Sequence, residues 1–293
     1  MLKRLALVAL AVLNLVSLTA CGRAPLQPGA GPVASRAQAS TLLRAAGRVR
    51  KLGFDLDRAE IQQLAARPVH LPPVQGLMPI KVDLRGRCSP IYDQGDLGSC
   101  TAFAMGKGAR EFLQRIRGEQ PTPLSALYLY YETRKLRNAV HLDSGATITD
   151  TMRAIAQAGV APETSWPYQI AFFTEQPPPA AYSQAPAWKL TTGVQLAGLE
   201  DIKRALARKQ PVVFGMRVYQ TFRDVGSDGM LPMPQPGDVM VGGHAVVAVG
   251  YDNRRQVLIV RNSFGTFWGD QGYFYLPYAY LADDRVMDIW TAS

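Results

Sequence analysis

The sequence predicts an α+β protein in which a helical half is followed by an antiparallel β half, with a cleft between the two. Apolar residues recur at helical spacing through most of residues 100–158, whereas β-branched and aromatic runs dominate after residue 211. The chain has 293 residues, of which 47% are hydrophobic and 19% charged, so it is long and apolar enough to bury a substantial core.

Three segments of the first half show the helical pattern: 100–118, 124–136 and 147–159. Gly118 and Gly159 follow the last periodic residues of the first and third segments, as is typical of helix ends. Residues 174–187 contain so many prolines that we predict a loop connecting the halves.

The second half opens with a short amphipathic helix over 199–209, which Pro211 ends. Strands are predicted wherever β-branched or aromatic runs are bounded by Gly, Asp or Asn. They are VVFGMRVY (212–219), HAVVAVGYD (244–252), QVLIVRN (256–262) and GYFYLP (272–277).

Residues 1–21 have the pattern of a secretory signal, with Lys3 and Arg4 preceding an apolar run too short to span a membrane. The ending LTAC (18–21) resembles the lipobox of bacterial lipoproteins. That resemblance implies lipidation of Cys21, attachment to a membrane of the bacterial cell envelope and, because Gly22 follows, the outer membrane. The alternative is an ordinary signal peptide with an incidental cysteine.

Two further segments precede the main domain, which we assign to residues 80–293. Residues 22–40 are rich in Gly, Pro, Ala and Ser and predict a flexible tether. Residues 41–79 contain two short helical patterns, at 41–54 and 56–66, and predict a small helical leader. This leader is interpreted either as a pro-region that covers and inhibits the active site or as a packed extension.

Charge and cysteine content argue against several function classes. The net charge is +9, but residues 80–293 contain 22 basic and 20 acidic residues, so no nucleic-acid-binding face is expected on the main domain. The three cysteines, Cys21, Cys88 and Cys100, leave no disulfide framework, and Cys88 is interpreted as a buried thiol. No metal-ligand spacing occurs, so neither a metal nor a cofactor is predicted.

The stretch DQGDLGSCTAF (93–103) places Cys100 where a helix can begin, after glycines that permit a tight turn. Unpaired N–H groups at a helix start stabilise a thiolate, which predicts a nucleophile. Gln94 offers an amide N–H that could form an oxyanion hole with the Cys100 backbone. His244 is the candidate base, and Asn262 can fix its tautomer. The glycine pair before His244 leaves room for another backbone.

Taken together, QGDLGSC, GGHAV (242–246) and NSFGTFWGDQGYF (262–274) resemble the papain-like cysteine peptidases, over the region from about Val82 to the C-terminus. The resemblance implies a papain-like two-lobed fold and hydrolysis of a peptide or protein substrate. In it Cys100 is the nucleophile, His244 the general base and acid, Asn262 the orienting residue and Gln94 the oxyanion donor.

The resemblance also implies substrate-backbone binding at Gly145, and Gly243 is the second substrate-binding candidate. Asp143 and Asp150 are interpreted as solvated caps rather than specificity residues. The chain departs from the family pattern at Thr101 and Phe264, where tryptophans are common, and it lacks the cysteine usual near residue 144.

The predicted function is therefore a lipid-anchored cysteine-type endopeptidase. Two alternatives stay open at this stage. One is a peptidoglycan stem-peptide hydrolase or transpeptidase with the same thiol chemistry. The other is a binding lipoprotein that has the fold without activity.

Overall fold

The computed structural model describes residues 42–45, 48–57, 61 and 68–293. The predicted signal, the lipidation site Cys21 and the tether lie outside these residues. No helix in the described part of the chain is both long and apolar enough to cross a bilayer.

The helix expected over 41–54 was wrong, because this part of the leader forms a β-hairpin. Strand β1 (Leu42–Ala45) pairs antiparallel with β2 (Arg48–Lys51), and the chain then runs extended through residue 57. Isolated helices of this length are marginal in water, so contacts with the main domain can override a helical pattern. Of the second pattern, at 56–66, the structure describes Ile61 as helical, with its N–H bonded to the Asp57 carbonyl at 3.0 Å.

The three helices predicted in the first half are confirmed. Helix α1 is a continuous run made of Cys100–Ala102, the π-helical stretch Phe103–Arg110 and Glu111–Arg117. It ends at Gly118, whose φ of 69° is left-handed. Helices α2 (Ala126–Lys135) and α3 (Ile148–Gln157) each begin at a hydroxyl cap, provided by Ser125 and Thr147.

The proline-rich segment 174–187 is not the plain loop that was predicted. It contains helix α4 (Pro179–Gln184) and a 3-10 turn (Ala185–Trp188). Proline is tolerated at the first position of a helix, where its missing N–H would have no helical partner. Helix α5 (Leu199–Ala207) follows and confirms the amphipathic helix predicted there.

The second half is a seven-stranded antiparallel sheet in the order β4-β9-β5-β6-β7-β8, with β3 paired to the far end of β6. The four predicted strand runs are confirmed, and β3, β4 and β9 were not predicted. The strands are β3 (Lys81–Asp83), β4 (Val194–Gln195), β5 (Val212–Tyr219), β6 (Met240–Asp252), β7 (Val257–Arg261), β8 (Tyr273–Pro277) and β9 (Val286–Thr291).

Alternate residues of the central strands face two different hydrophobic cores. On β6, Ala245 and Val247 pack with the helical lobe, whereas Val246 and Ala248 pack on the opposite face with α5 and the aromatic residues after β7. The start of α1 and the middle of β6 therefore lie at the interface between the helical lobe and the sheet. The predicted site residues lie at this interface.

Candidate active site

Cys100 is the first residue of α1 and is completely buried. The loop before it is fixed by Tyr168, whose O–H donates to the Gln94 carbonyl at 2.8 Å. The Ser99 hydroxyl lies 2.7 Å from the same Tyr168 oxygen and, since that O–H is already used, acts as the donor. Tyr168 belongs to the SWPY turn of the helical lobe and thereby sets the position of both Gln94 and the nucleophile helix.

The Gln94 side chain has its orientation set by the residue after Asn262. Its Oε1 accepts from the Ser263 hydroxyl at 2.6 Å, and the Ser263 carbonyl accepts the Gln94 backbone N–H at 2.9 Å. The amide Nε2 must then point the other way, where it donates to the carbonyls of Lys51 and Leu97, each at 3.0 Å. The Gln94 amide is therefore held as a donor between the leader and the loop that leads into α1.

His244 lies on β6 and Asn262 directly follows β7, the neighbouring strand. The His244 Nε2 is 2.7 Å from the Asn262 Oδ1, which also accepts the Ser263 backbone N–H at 2.8 Å. Because the Ser263 N–H donates to this atom, it is the amide oxygen, which can only accept hydrogen bonds. The His244 Nε2 must therefore be the protonated nitrogen. The other nitrogen, Nδ1, is buried and makes no hydrogen bond, so it is available to take a proton.

Aromatic rings cover the histidine on the side away from the helical lobe. The Phe264 ring lies 4.7 Å from the His244 ring, centroid to centroid, and Trp268 packs edge-on against Phe264 at 5.6 Å. Phe222 closes the other flank at 6.0 Å from the imidazole. Phe264, one of the departures from the family pattern, thus still shields the His244–Asn262 pair from water.

The candidate nucleophile and base are both neutral in this state. Burial raises the pKa of the Cys100 thiol to about 11, although hydrogen bonds from the backbone of Ala245, Gly53 and Thr101 offset part of that rise. Burial also lowers the pKa of His244 to about 4, against a smaller opposing effect of Asn262. Neutral thiol and neutral imidazole are the expected forms at neutral pH.

The leader contributes to this burial, because it runs through the cleft in extended form, hydrogen-bonds the Cys100 sulfur through Gly53 and packs on Gly243, the residue before His244. The Phe54 N–H donates to the Gly243 carbonyl at 3.0 Å, and the Ala146 N–H donates to the Gly53 carbonyl at 2.8 Å. The Asp55 N–H then donates to the Ala146 carbonyl at 3.0 Å, so that Phe54 and Ala146 form a parallel bridge. The leader therefore occupies the cleft as an added strand.

Glycines make this close approach of backbones feasible. A Cβ atom added to Gly53 would lie 2.0 Å from the Gly98 carbonyl oxygen, and one added to Gly145 would lie 2.2 Å from the Gly53 oxygen. One added to Gly243 would lie 2.4 Å from the Phe54 oxygen. Any side chain at these positions would have to displace the leader backbone or be displaced by it.

The two predicted substrate-binding glycines differ in what they do. Gly243 offers its carbonyl to the extended segment. Gly145 offers no hydrogen bond to it, because its N–H donates to the Tyr130 hydroxyl at 3.0 Å, and the bonds are made by the next residue, Ala146. Gly145, with φ +71°, supplies instead the left-handed backbone and the space.

Ion pairs anchor the leader on both sides of the nucleophile. The Arg50 guanidinium lies 2.5 Å from Asp93, and the Lys51 Nζ lies 2.5 Å from Asp143 Oδ2. Farther along, Arg137 of the helical lobe pairs with Asp55 at 3.3 Å. The side chains of Asp143 and Asp150 are 12% and 1% exposed, so their interpretation as solvated caps was wrong.

Sequence reasoning missed several residues that support this site. Ser263 orients Gln94, and its signal was its position directly after Asn262. Tyr130, which contacts Asp143 and Gly145, lies in α2, where the sequence predicted a helix without singling out this residue. Cys88 is half-buried, with its thiol 3.7 Å from the Leu84 carbonyl and burial raising its pKa.

Comparison with known proteins agrees with this arrangement. The sequence model of the family described as "Papain family cysteine protease" matches residues 78–282. An uncharacterized peptidase C1-like protein of Acanthamoeba polyphaga mimivirus is 38% identical over 214 residues, which are 68% of this chain and 68% of the viral protein. Cysteine proteinase 3 of Entamoeba histolytica is 28% identical over 204 residues, 68% of this chain and 62% of the amoebal protein.

Among solved structures, xylellain, a cysteine protease from Xylella fastidiosa, superposes with a TM-score of 0.75 and 31% identity, covering 86% of this chain and 97% of xylellain. The family match spans most of the described main domain and includes the four candidate residues Gln94, Cys100, His244 and Asn262. The chain belongs to the papain family of cysteine proteases.

Proposed function

We propose that this protein is an endopeptidase that cleaves peptide bonds through Cys100, His244, Asn262 and Gln94, and that its leader blocks the cleft until displaced. The observation behind this proposal is the position of the Lys51 peptide group. Its carbonyl oxygen accepts a hydrogen bond from the Gln94 amide at 3.0 Å, and two residues later the Gly53 backbone contacts the buried Cys100 sulfur. The Gln94 amide therefore donates to a peptide carbonyl in the cleft, as an oxyanion donor must.

In the proposed reaction, His244 Nδ1 takes the thiol proton and Cys100 Sγ attacks the substrate carbonyl carbon. The Gln94 amide donates to the oxyanion, and the Asn262 oxygen stabilises the imidazolium by accepting from Nε2. His244 then protonates the leaving amine, which leaves an acyl group on Cys100. Water activated by the same imidazole hydrolyses that thioester and regenerates the thiol.

The leader-covered state is proposed to be inactive because the thiol and imidazole are buried and neutral. The Cys100 sulfur accepts a hydrogen bond from the Gly53 backbone. Contact with an N–H donor, rather than attack on a carbonyl carbon, explains how the segment can lie on the nucleophile without being cut. This supports inhibition by the leader over the interpretation as a packed extension.

The leader is tested with Gly53→Gln in the full chain. A side chain at this position collides with the Gly98 carbonyl, so the leader should leave the cleft and peptidase activity should rise by about tenfold or more. Gly86→Gln is the matched control, because nothing lies within 4 Å of a Cβ there. Equal activity of the Gly53→Gln variant and the unsubstituted chain would contradict an inhibitory leader.

The nucleophile is tested by Cys100→Ala in the Gly53→Gln background. Hydrolysis of a fluorogenic peptide should fall by about 10³-fold or more, while thermal unfolding stays cooperative. Substantial residual hydrolysis by the purified variant would exclude Cys100 as the nucleophile. Rapid alkylation of Cys100 without turnover of any peptide would favour the binding-protein alternative, and release of fragments from purified sacculi would favour the stem-peptide hydrolase.

We also propose that the protein is anchored to the bacterial cell envelope, most simply the outer membrane, by a lipid on Cys21. The support is the sequence of residues 1–22 described above. Metabolic labelling with a fatty acid should mark the full chain and not its Cys21→Ser variant. An unlabelled full chain recovered from the soluble fraction would contradict the anchor.

A further inference from the structure

We infer that Asp143 and Tyr130 are positioning residues, which hold together the two walls of the cleft beside Cys100. One wall is the nucleophile loop, which ends in residues 98–100, and the other is the segment 145–146, which pairs with the leader. The inference rests on the proposed function and names two residues that the reaction needs although they do not touch the reacting atoms. The polar link that these two side chains form between the walls is here called the staple.

The staple is a continuous chain of hydrogen bonds from one wall to the other. The Gly98 N–H donates to both carboxylate oxygens of Asp143, at 3.1 Å to Oδ1 and 3.2 Å to Oδ2. The Tyr130 hydroxyl donates to the same Oδ1 and in turn accepts the Gly145 N–H at 3.0 Å. The Asp143 Oδ1 is therefore the atom at which the two walls and α2 are joined.

The surroundings of the staple keep it in place. Tyr130 is completely buried and the Asp143 side chain is largely so, and hydrogen bonds to a shielded carboxylate are stronger than those between neutral groups. The Arg134 guanidinium lies 4.1 Å from the centre of the Tyr130 ring. It also donates to the Val140 carbonyl at 2.6 Å and to the Leu142 carbonyl at 2.8 Å, which fixes the chain directly before Asp143.

The stapled walls enclose the segment of the leader that crosses the nucleophile. A Cβ added to Gly53 would lie 2.0 Å from the Gly98 carbonyl oxygen, and one added to Gly145 would lie 2.2 Å from the Gly53 oxygen. A backbone in the cleft thus contacts both walls at once. The distance between the walls therefore determines how an extended segment lies relative to Cys100, two residues after Gly98.

No disulfide joins the walls in the described part of the chain, because Cys88 and Cys100 are both free thiols. The sequence also lacks the cysteine that is usual in the family near residue 144, and Asp143 lies at that place. The Lys51 ammonium, 2.5 Å from Asp143 Oδ2, belongs to the leader and departs with it. The residues of the staple all belong to the main domain, so the link remains when the cleft opens.

The test uses the full chain with Gly53→Gln to open the cleft, and steady-state hydrolysis of a fluorogenic peptide. Tyr130→Phe removes one oxygen, so that the Gly145 N–H loses its acceptor and Asp143 loses a donor. We expect kcat to fall by at least tenfold and KM to change by less than threefold, because the substrate still binds but lies out of line with the nucleophile. Tyr131→Phe is the matched control, since Tyr131 is the next residue of α2 and lies about 100° farther around the helix. An unchanged kcat in Tyr130→Phe, or an equal fall in both variants, would overturn the inference.

Two substitutions of Asp143 separate its hydrogen bonds from its charge. Asp143→Asn keeps an oxygen that can accept from both the Gly98 N–H and the Tyr130 hydroxyl, so kcat in the opened chain should stay within about threefold. Asp143→Ala removes the acceptor and should lower kcat by at least tenfold, whereas Asp96→Ala, at an exposed acid of the same loop, should change it little. A kcat as low in Asp143→Asn as in Asp143→Ala would assign the effect to charge and overturn the staple.

A second measurement does not depend on turnover. In the opened chain, amide hydrogen exchange of Gly98 is measured by NMR in Tyr130→Phe and Tyr131→Phe. The Gly98 N–H keeps its own acceptor, Asp143, in both variants, so faster exchange in Tyr130→Phe reports loosening at the far end of the staple. We expect an acceleration of at least fivefold in Tyr130→Phe and none in Tyr131→Phe, with the amides of β6 unchanged in both. If no peptide is cleaved, the proposed function fails while this measurement still decides the link; an unchanged rate at Gly98, or an equal acceleration throughout β6, would overturn the inference itself.

Discussion

At the scale of single residues, the site depends on side chains whose orientation is set by one further neighbour. Gln94 can donate toward the cleft because its Oε1 is held by Ser263, and His244 has a free Nδ1 because its Nε2 is held by Asn262. Both holding residues come from the same short segment after β7. This segment therefore orients the candidate base and the candidate oxyanion donor together.

The first prediction at this scale concerns Ser263. Ser263→Ala leaves the buried Gln94 Oε1 without its hydroxyl donor, a loss that typically costs about 1–3 kcal/mol, and the amide becomes free to rotate away from the substrate. We expect kcat to fall by roughly tenfold with little change in KM, since the oxyanion forms only during the reaction.

The conservative variant Ser263→Thr retains the hydroxyl and should recover most of the rate. The variants are compared in the Gly53→Gln background by steady-state kinetics. A change confined to KM would show that Ser263 shapes the substrate cleft and does not position the Gln94 amide.

At the scale of elements, the leader binds by adding a strand to the cleft and placing Phe54 in a pocket. Phe54 is 3% exposed, and a Cβ added to Gly215 on β5 would lie 2.1 Å from its ring. A glycine in the middle of a strand is unusual, and here it makes room for a large side chain. The pocket and the backbone bonds together hold the segment that crosses Cys100.

Phe54→Ala should therefore loosen the leader. Truncating a buried phenylalanine costs about 3–5 kcal/mol, and here the cost falls on the closed state alone. Alkylation of Cys100 by iodoacetamide at pH 7.5 should accelerate at least a hundredfold in the full chain. Leu77→Ala is the control, because Leu77 is in the same leader and is 97% exposed. Similar labelling rates for Phe54→Ala and the unsubstituted chain would show that the pocket contributes little to closure.

Sequence patterns predicted the elements whose side chains are mostly apolar and buried. They failed for elements whose structure is decided by a few specific polar contacts. Strands β5 to β8 are continuous apolar runs, so their burial on both faces was readable. Strand β9 is interrupted by Asp288, which is buried because Thr149 and the Trp290 indole donate to it. The spacing of apolar residues along the sequence cannot show that these donors make burial of Asp288 possible.

The leader hairpin and its ion pairs with Asp93 and Asp143 could not be predicted for a related reason. Arg50 and Lys51 fit a helical pattern as well as they fit a strand, and their carboxylate partners lie 43 and 92 residues away along the chain. The residues proposed for the reaction could be selected from the sequence because the proposed chemistry limits the choice of residue type. The leader is hydrogen-bonded by Ala146 and not by Gly145, the candidate for substrate binding, a difference of one residue that only the loop geometry reveals.

At the scale of the whole molecule, closure of the leader is linked to pH through the groups that it buries. In the closed state the pKa of His244 is about 4, whereas an ordinary value is 6.5. Opening is expected to expose the imidazole and to return its pKa toward the ordinary value, so that the open state binds more protons than the closed state between these two pH values. Closure is fully favoured above about pH 6.5 and loses stability as the pH falls toward 4, by at most roughly 3 kcal/mol.

This linkage predicts that mild acid opens the cleft. In Cys100→Ala, which prevents self-cleavage, amide hydrogen exchange of the segment 51–57, corrected for the intrinsic rate at each pH, should accelerate between pH 6.5 and 4.5. Replacing His244 by glutamine in the same background removes the titrating group and should flatten the profile over that range. The carboxylates of Asp55, Asp93 and Asp143 also pair with basic groups across this interface. If the exchange rate of the glutamine variant depends on pH as steeply as before, then these ion pairs, and not the imidazole, cause the pH dependence.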